Sequence, residues 1–166
     1  MTTTVDINAL IAQMAVALQP YLDERHPIMI GIHTGGAWIA QKLHQSLGLP
    51  DPLGTLDISF YRDDFTRVGL NPQVKASDLP ESVDGRHIIL VDDVLHTGRT
   101  IRAAMNEIFD YGRPESVVLA VLVERDGREL PIQADVVGQH CTLAPGQHIK
   151  LAGPEKLALN ILEDNA

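Results

Sequence analysis

The chain has 166 residues, 45% of them apolar, which suits one domain with a sizeable core. Thirteen basic against 22 acidic residues give a net charge of −9, a balance that disfavours generic nucleic-acid binding. No apolar run reaches the roughly 18–20 residues of a membrane span and Met1–Thr4 is polar, so a cytoplasmic protein with no membrane contact is expected.

Asp6–Arg25 reads as a helix, with Ile7, Leu10, Ile11, Met14, Leu18 and Leu22 near helical spacing. Asp6 is placed to cap it and Pro27 to end it. Ile28–His33 reads as a buried strand, broken by Thr34-Gly35-Gly36. A second helix follows through Leu47, with Gly48 past its end. Leu53–Tyr61 is another strand. Arg62–Asp84 is polar, holds Pro72 and Pro80 and has no clear period, which predicts a functional flap. His87–Val91 is a strongly apolar strand, Gly98–Tyr111 a helix stopped by Gly112 and Pro114, and Ser116–Val123 a strand. Ala134–Val137 and His148–Leu151 are weaker strand candidates, and Glu155–Leu162 a short helix. Strands alternating with helices imply a mainly parallel α/β sheet. Ligands of such sheets sit beyond the carboxyl ends of the strands, so the loops after Ile32, Val91 and Val123 should gather there.

The chemistry concentrates in Ile88-Ile89-Leu90-Val91-Asp92-Asp93-Val94-Leu95-His96-Thr97-Gly98-Arg99-Thr100. Four apolar residues bury a strand, two adjacent carboxylates emerge at its end, and a Thr- and Gly-containing loop leads straight into a helix. Backbone N–H groups, hydroxyls and a helix N-terminus then converge on one point, an anion site suited to a monophosphate. The carboxylates are badly placed for phosphate but well placed for neighbouring hydroxyls. A ribose 5-phosphate satisfies both demands. Competing phosphate motifs are absent: there is no G-x-x-x-x-G-K-[ST], and no G-x-G-x-x-G after a strand.

This segment resembles the phosphoribosyl pyrophosphate (PRPP) signature of the type I phosphoribosyltransferase family. Within that family the chain is similar to the branch of pyrimidine operon regulators that are also uracil phosphoribosyltransferases. The likeness rests on Gly54-Thr55-Leu56-Asp57-Ile58 with Tyr61-Arg62-Asp63-Asp64, on the signature, on Phe109–Pro114, and on Leu119–Glu124 with Arg128–Ile132. It runs nearly unbroken from Gly31 to Gly138.

The resemblance implies a type I phosphoribosyltransferase fold over 1–166, a mainly parallel sheet flanked by helices, with a mobile flap and a small hood. The hood would be formed largely by residues 125–155 with the N-terminal region. Asp92 and Asp93 would hold the ribose hydroxyls, and Val94, Leu95, His96, Thr97, Gly98, Arg99 and Thr100 would wrap the 5′-phosphate. Thr34 and Gly35 would meet pyrophosphate, Arg62 would belong to the flap, and Arg128 and Ile149 to the hood that receives the base. Mg2+ would ride on PRPP rather than on a metal site of the chain. Uracil, UMP and other uridine nucleotides would be ligands, RNA a partner, and the assembly a dimer or larger homo-oligomer. Asp93 and His96 are the candidates for a catalytic proton carrier, although His96 also fits a backbone hydrogen bond.

Several positions depart from that pattern. Family members often show Thr-Arg where this chain has Thr34-Gly35, and His33 precedes the pair. The pyrophosphate side thus lacks a fixed cation, so slow turnover is expected, with Gly35→Arg raising it. Ile7–Asp23 contains no Lys or Arg, which speaks against tight RNA binding. Trp38, on a helix, reads as core or subunit interface. Cys141, the only cysteine, permits no internal disulfide and reads as a small buried apolar residue.

Overall fold

The structure, a computed structural model, describes residues 5–58, 77–79 and 82–164. The chain opens with helix α1 (Ile7–Leu18), which a 3-10 turn at Gln19–Tyr21 extends. Asp6 caps α1 as its sequence position suggests: its Oδ1 accepts the Ala9 N–H at 3.1 Å. Strand β1 (Ile28–Ile32) leads into helix α2 (Gly35–Leu47), which ends on Gly48 at φ 61°. Strand β2 (Gly54–Leu56) is much shorter than the sequence suggests, and the remainder of that predicted strand from Ser59 lies outside the described residues. Strand β3 (His87–Leu95), helix α3 (Arg99–Tyr111), strand β4 (Ser116–Arg125) and strand β5 (Val136–Cys141) follow.

The five strands form one parallel sheet in the order β2-β1-β3-β4-β5. Parallel strands buried on both faces need near-continuous apolar sequence, which Ile28–Ile32, Ile88–Val91 and Val118–Val123 supply. One face packs on α1 and α2 through Ile89, Val91, Ala120 and Leu122. The other packs on Ile101, Ala104 and Ile108 of α3 through Ile88, Leu90, Leu119 and Val121.

The C-terminal segment differs from its sequence reading. In place of a helix over Glu155–Leu162 there is an antiparallel hairpin of strands β6 (Gln147–Ala152) and β7 (Ala158–Glu163). Leu157 and Leu159 both pack on the α1–α2 layer, a spacing of two, so pairing with β6 decides over a helical spacing too short to stand alone. Trp38 packs against the same layer, and a Cβ at Gly153 would lie 2.8 Å from its ring, so Trp38 serves the packing between α2 and the hairpin. Cys141 is half-buried against that layer. Among the described residues no helix is long and apolar enough to cross a membrane.

Candidate functional site

The carboxyl ends of β1, β3 and β4 meet at one edge of the sheet, and the signature segment lies at their centre. Two of its residues sit differently from the sequence reading. Asp92 and Asp93 do not stand in a loop beyond the strand: β3 continues past them, with Asp92 in register with Val121 and Leu95 with Glu124. The strand's alternation slips by one at the acids. Ile89 and Val91 face the α1–α2 layer, but so does Val94, while Leu95 joins Ile88 and Leu90. Such slips re-aim side chains where a strand meets a site.

Asp92 is almost fully buried, and its Oδ1 accepts the Asp93 N–H at 2.8 Å. Asp93 Oδ1 accepts the Val94 N–H at 2.8 Å. Each carboxylate is therefore fixed by the next backbone amide, and the pair is held in one orientation.

Thr34 caps α2 without a side-chain capping bond, and Gly35 and Gly36 are the first residues of the helix. Their lack of a side chain allows the helix to start on top of the acids. A Cβ at Gly36 would fall 2.8 Å from the Val91 carbonyl oxygen and 2.9 Å from Asp92 Cα. A Cβ at Gly35 would overlap Asp93 Oδ2 and lie 2.8 Å from its Cγ. The expectation that an arginine at position 35 improves the site omitted this contact, because only the fold brings position 35 against position 93. The His33–Thr34 peptide is cis.

On the far side of β3, Gly98 stands at φ 97°, a conformation that favours glycine, and turns the chain into α3. The Thr97 hydroxyl accepts the Arg99 N–H at 3.2 Å. The N–H groups of Thr100 and Ile101, in the first turn of α3, have no partner within the helix, an arrangement suited to an anion. The β4–β5 connection rests on this loop: the Glu129 and Leu130 N–H groups donate to the Thr97 carbonyl at 3.0 and 3.1 Å, and Arg99 Nε meets Glu129 Oε1 at 3.1 Å. A Cβ at Gly98 would lie 3.1 Å from Ile132.

His96 is exposed on the same loop. Partial desolvation lowers its pKa below the ordinary histidine value, and the Arg125 cation lowers it further; Glu129 opposes this and His148 adds to it. The imidazole is accordingly neutral at pH 7.

The two hood candidates lie apart. Arg128 is exposed and lines a pocket of about 340 Å3 with Glu129, Leu130, Pro131 and Gln133. Ile149 lines a second pocket, of about 220 Å3, with Val123, Gln139, Cys141 and Leu159. Arg62 lies outside the described residues. Gly36, which packs on the acid pair, and Arg125, close enough to His96 to lower its pKa, are not among the residues that the sequence singles out. The Gly-Gly pair was visible as a break, but its reason, contact with the acids, required the fold. Nothing in the sequence set Arg125 apart from the other basic residues.

Residues 3–155 match the phosphoribosyl transferase domain model. The chain belongs to the phosphoribosyltransferase family. "Bifunctional protein PyrR" of Nitrosococcus oceani is 60% identical over 163 residues, covering 95% of this chain and 92% of the relative. "Bifunctional protein PyrR" of Pseudomonas savastanoi is 57% identical over 159 residues, covering 94% of each. Among solved structures, a hypoxanthine phosphoribosyltransferase from Staphylococcus aureus aligns with a TM-score of 0.68 at 17% identity, over 86% of this chain and 78% of that one. A purine phosphoribosyltransferase from Pyrococcus horikoshii aligns at 0.64 and 23%, over 82% and 86%. At these identities the likeness is one of fold. It accords with the parallel sheet and flanking helices described above.

Proposed function

We propose that this phosphoribosyltransferase joins uracil to the phosphoribosyl group of PRPP, giving UMP and pyrophosphate. We also propose that uridine nucleotides at the same site let it regulate pyrimidine genes. One observation carries the reading: two amide-fixed carboxylates near the end of β3, before its final two residues, stand between the N-termini of α2 and α3. The acids suit a ribose diol, the Thr97–Thr100 turn suits the 5′-phosphate, and Thr34-Gly35 faces the remaining side, where pyrophosphate would lie. The PyrR relatives support the dual role.

The reaction breaks the C1–O bond to pyrophosphate and forms a C1–N1 bond to uracil, whose N1 proton is released. Positive charge develops at C1 between the two events. The protein's contribution is to hold both reactants in line, fix negative charge near C1 and exclude water. Asp92 and Asp93 supply the orientation and the fixed charge. His96, neutral at pH 7, is able to accept the proton, as is Asp93. Mg2+ would ride on the oxygens of PRPP, with Asp92 and Asp93 nearby through the ribose hydroxyls or water. The chemistry that Mg2+ would supply there is neutralisation of charge on the departing pyrophosphate.

A second reading is favoured by Gly35, which offers pyrophosphate no cation: a nucleotide-sensing regulator with little transferase activity and no RNA binding. One assay separates the two. Purified protein is incubated with Mg2+, PRPP and, separately, uracil, hypoxanthine or guanine. UMP formation with uracil alone is expected. A purine nucleotide as the main product would overturn the choice of base, and no nucleotide from any base, with UMP still bound, would leave the sensor.

A further inference from the structure

We propose that Ser77 is a positioning residue for PRPP: its hydroxyl ties the strand end behind the pyrophosphate loop to helix α3, which carries the phosphate turn, and so sets the span the ligand must bridge. The inference rests on the reading of the site as one for PRPP. It gives a role to a residue outside the signature, outside Thr34-Gly35 and outside the hood.

The pyrophosphate side depends on β2. The His33 N–H donates to the Leu56 carbonyl at 2.9 Å, so the residue before Thr34 takes its place from the last residue of β2. That strand is only three residues long and lies at the edge of the sheet. Ser77–Leu79 covers its outer side, within the stretch that the sequence suggests is a flap. Thr55 and Asp78 exchange both backbone hydrogen bonds, at 2.8 and 2.9 Å, as an isolated antiparallel bridge. Just past the strand, the Asp57 N–H donates to Ser77 Oγ at 3.2 Å. The Ser77 hydroxyl in turn donates to Glu107 Oε1 on α3. Leu79 packs on the apolar layer between the sheet and α3.

One hydroxyl thus accepts from the strand end and donates to the helix. Bonds run from Glu107 through Ser77 to Asp57, and Leu56 hands the connection to His33 and the loop that follows. At its other end α3 presents the phosphate turn, and Glu107 stands about 12 Å along the helix from Arg99. The rest of the α3 contact with the sheet is apolar, through Ile101, Ala104 and Ile108. Apolar burial is non-directional and holds the helix down without fixing its axial position, whereas a hydrogen bond has a preferred length and angle. The Ser77–Glu107 bond therefore sets where α3 lies along the sheet relative to the end of β2. A ligand held at both ends gains from both only when their separation matches its own length, and a small misplacement made far from the chemistry is costly. PRPP is such a ligand, with its 5′-phosphate at α3 and its pyrophosphate at Thr34-Gly35.

The test uses Ser77→Ala, which removes the hydroxyl, and Glu107→Ala, which removes its acceptor on α3. Calorimetry in the presence of Mg2+ measures PRPP, ribose 5-phosphate and UMP on the parent and the variants. Only PRPP reaches from the phosphate turn to the pyrophosphate loop. Its affinity should fall by about 3- to 10-fold in each single variant, the range of one ordinary hydrogen bond, with ribose 5-phosphate and UMP unchanged. Both substitutions break the same connection, so the double variant should lose no more than Ser77→Ala alone. A merely structural contact would instead lower the affinity for all three ligands together. Unchanged PRPP affinity in either variant, a loss on ribose 5-phosphate or UMP that matches the loss on PRPP, or additive losses in the double variant would each overturn the proposal. Should Ser77→Ala not fold, Glu107→Ala decides by the same comparison. A parent that binds PRPP no more tightly than ribose 5-phosphate would remove the underlying reading of the site, and this inference with it.

Discussion

Substitution of Gly35 sets two physical effects against each other. A cation at this position would stabilise a departing pyrophosphate, and one well-placed electrostatic donor is worth about 2.7–4 kcal/mol in turnover. Against this stands the Cβ that any such side chain must carry. At position 35 it would overlap Asp93 Oδ2 and lie 2.8 Å from Cγ and 3.2 Å from Cβ. The Asp93 carboxylate would have to turn away, and the Val94 N–H bond to Oδ1, 2.8 Å long, would break. A hydrogen bond to a charged acceptor is worth about 1.5–3 kcal/mol. That becomes a loss of roughly 10- to 150-fold in PRPP affinity if Asp93 holds the ribose. An arginine would also pair with Asp93 and draw it from the diol. Gly35→Ala isolates the steric effect, and Gly35→Arg combines it with the charge. We expect Gly35→Ala to weaken PRPP in calorimetry by the amount above. We expect Gly35→Arg to stay below the parent in kcat/KM with uracil. PRPP binding to Gly35→Ala at parental affinity, or a Gly35→Arg enzyme faster than the parent, would refute this and restore the argument from charge alone.

Thr97→Val with Thr100→Val removes two hydroxyls at the start of α3 while keeping shape; UMP affinity should fall by roughly 1.5–3 kcal/mol for each hydrogen bond lost, and a double variant that binds UMP like the parent would show that the phosphate lies elsewhere. His96 should titrate below the ordinary value of 6.5 in the free protein. Its neutral form is the favoured one in the fold, so this group destabilises the protein as pH falls below 6.5, and an NMR midpoint at or above 6.5 would contradict the environment described. Gly36→Ala places a methyl against the backbone of β3, an overpacking that should cost about 1–3 kcal/mol in urea unfolding; an unchanged midpoint would mean that α2 shifts freely. Binding to a structured leader RNA should be weak at physiological salt, since the chain carries −9 and α1 has no Lys or Arg; nanomolar affinity with preference over an unrelated hairpin would show that dispersed basic residues converge on one face.

What the sequence determined alone was the part encoded in short, contiguous stretches. Apolar runs of four to six residues mark the buried strands without reference to any partner. Asp6 and Gly48 mark helix ends through local backbone geometry. Asp92 to Thr100 carries acids, hydroxyls and a helix start in one unbroken segment, so the proposal that it takes a phosphorylated sugar needs only the sequence. The C-terminal hairpin was not, because Leu157–Leu162 fits a helical spacing as well as an alternating one, and the choice depends on β6, whose residues supply the hydrogen bonds. Position 35 was read through charge, and its real constraint is contact with Asp93, 58 residues away in sequence but adjacent in space because α2 begins above β3. Arg125 is one basic residue among 13 until strand order sets it beside His96 and burial leaves its Nε without an acceptor. Local sequence fixes backbone conformation and the donors on one segment. Which groups on different segments share a volume, and which polar atoms lose water there, is decided only when the sheet assembles.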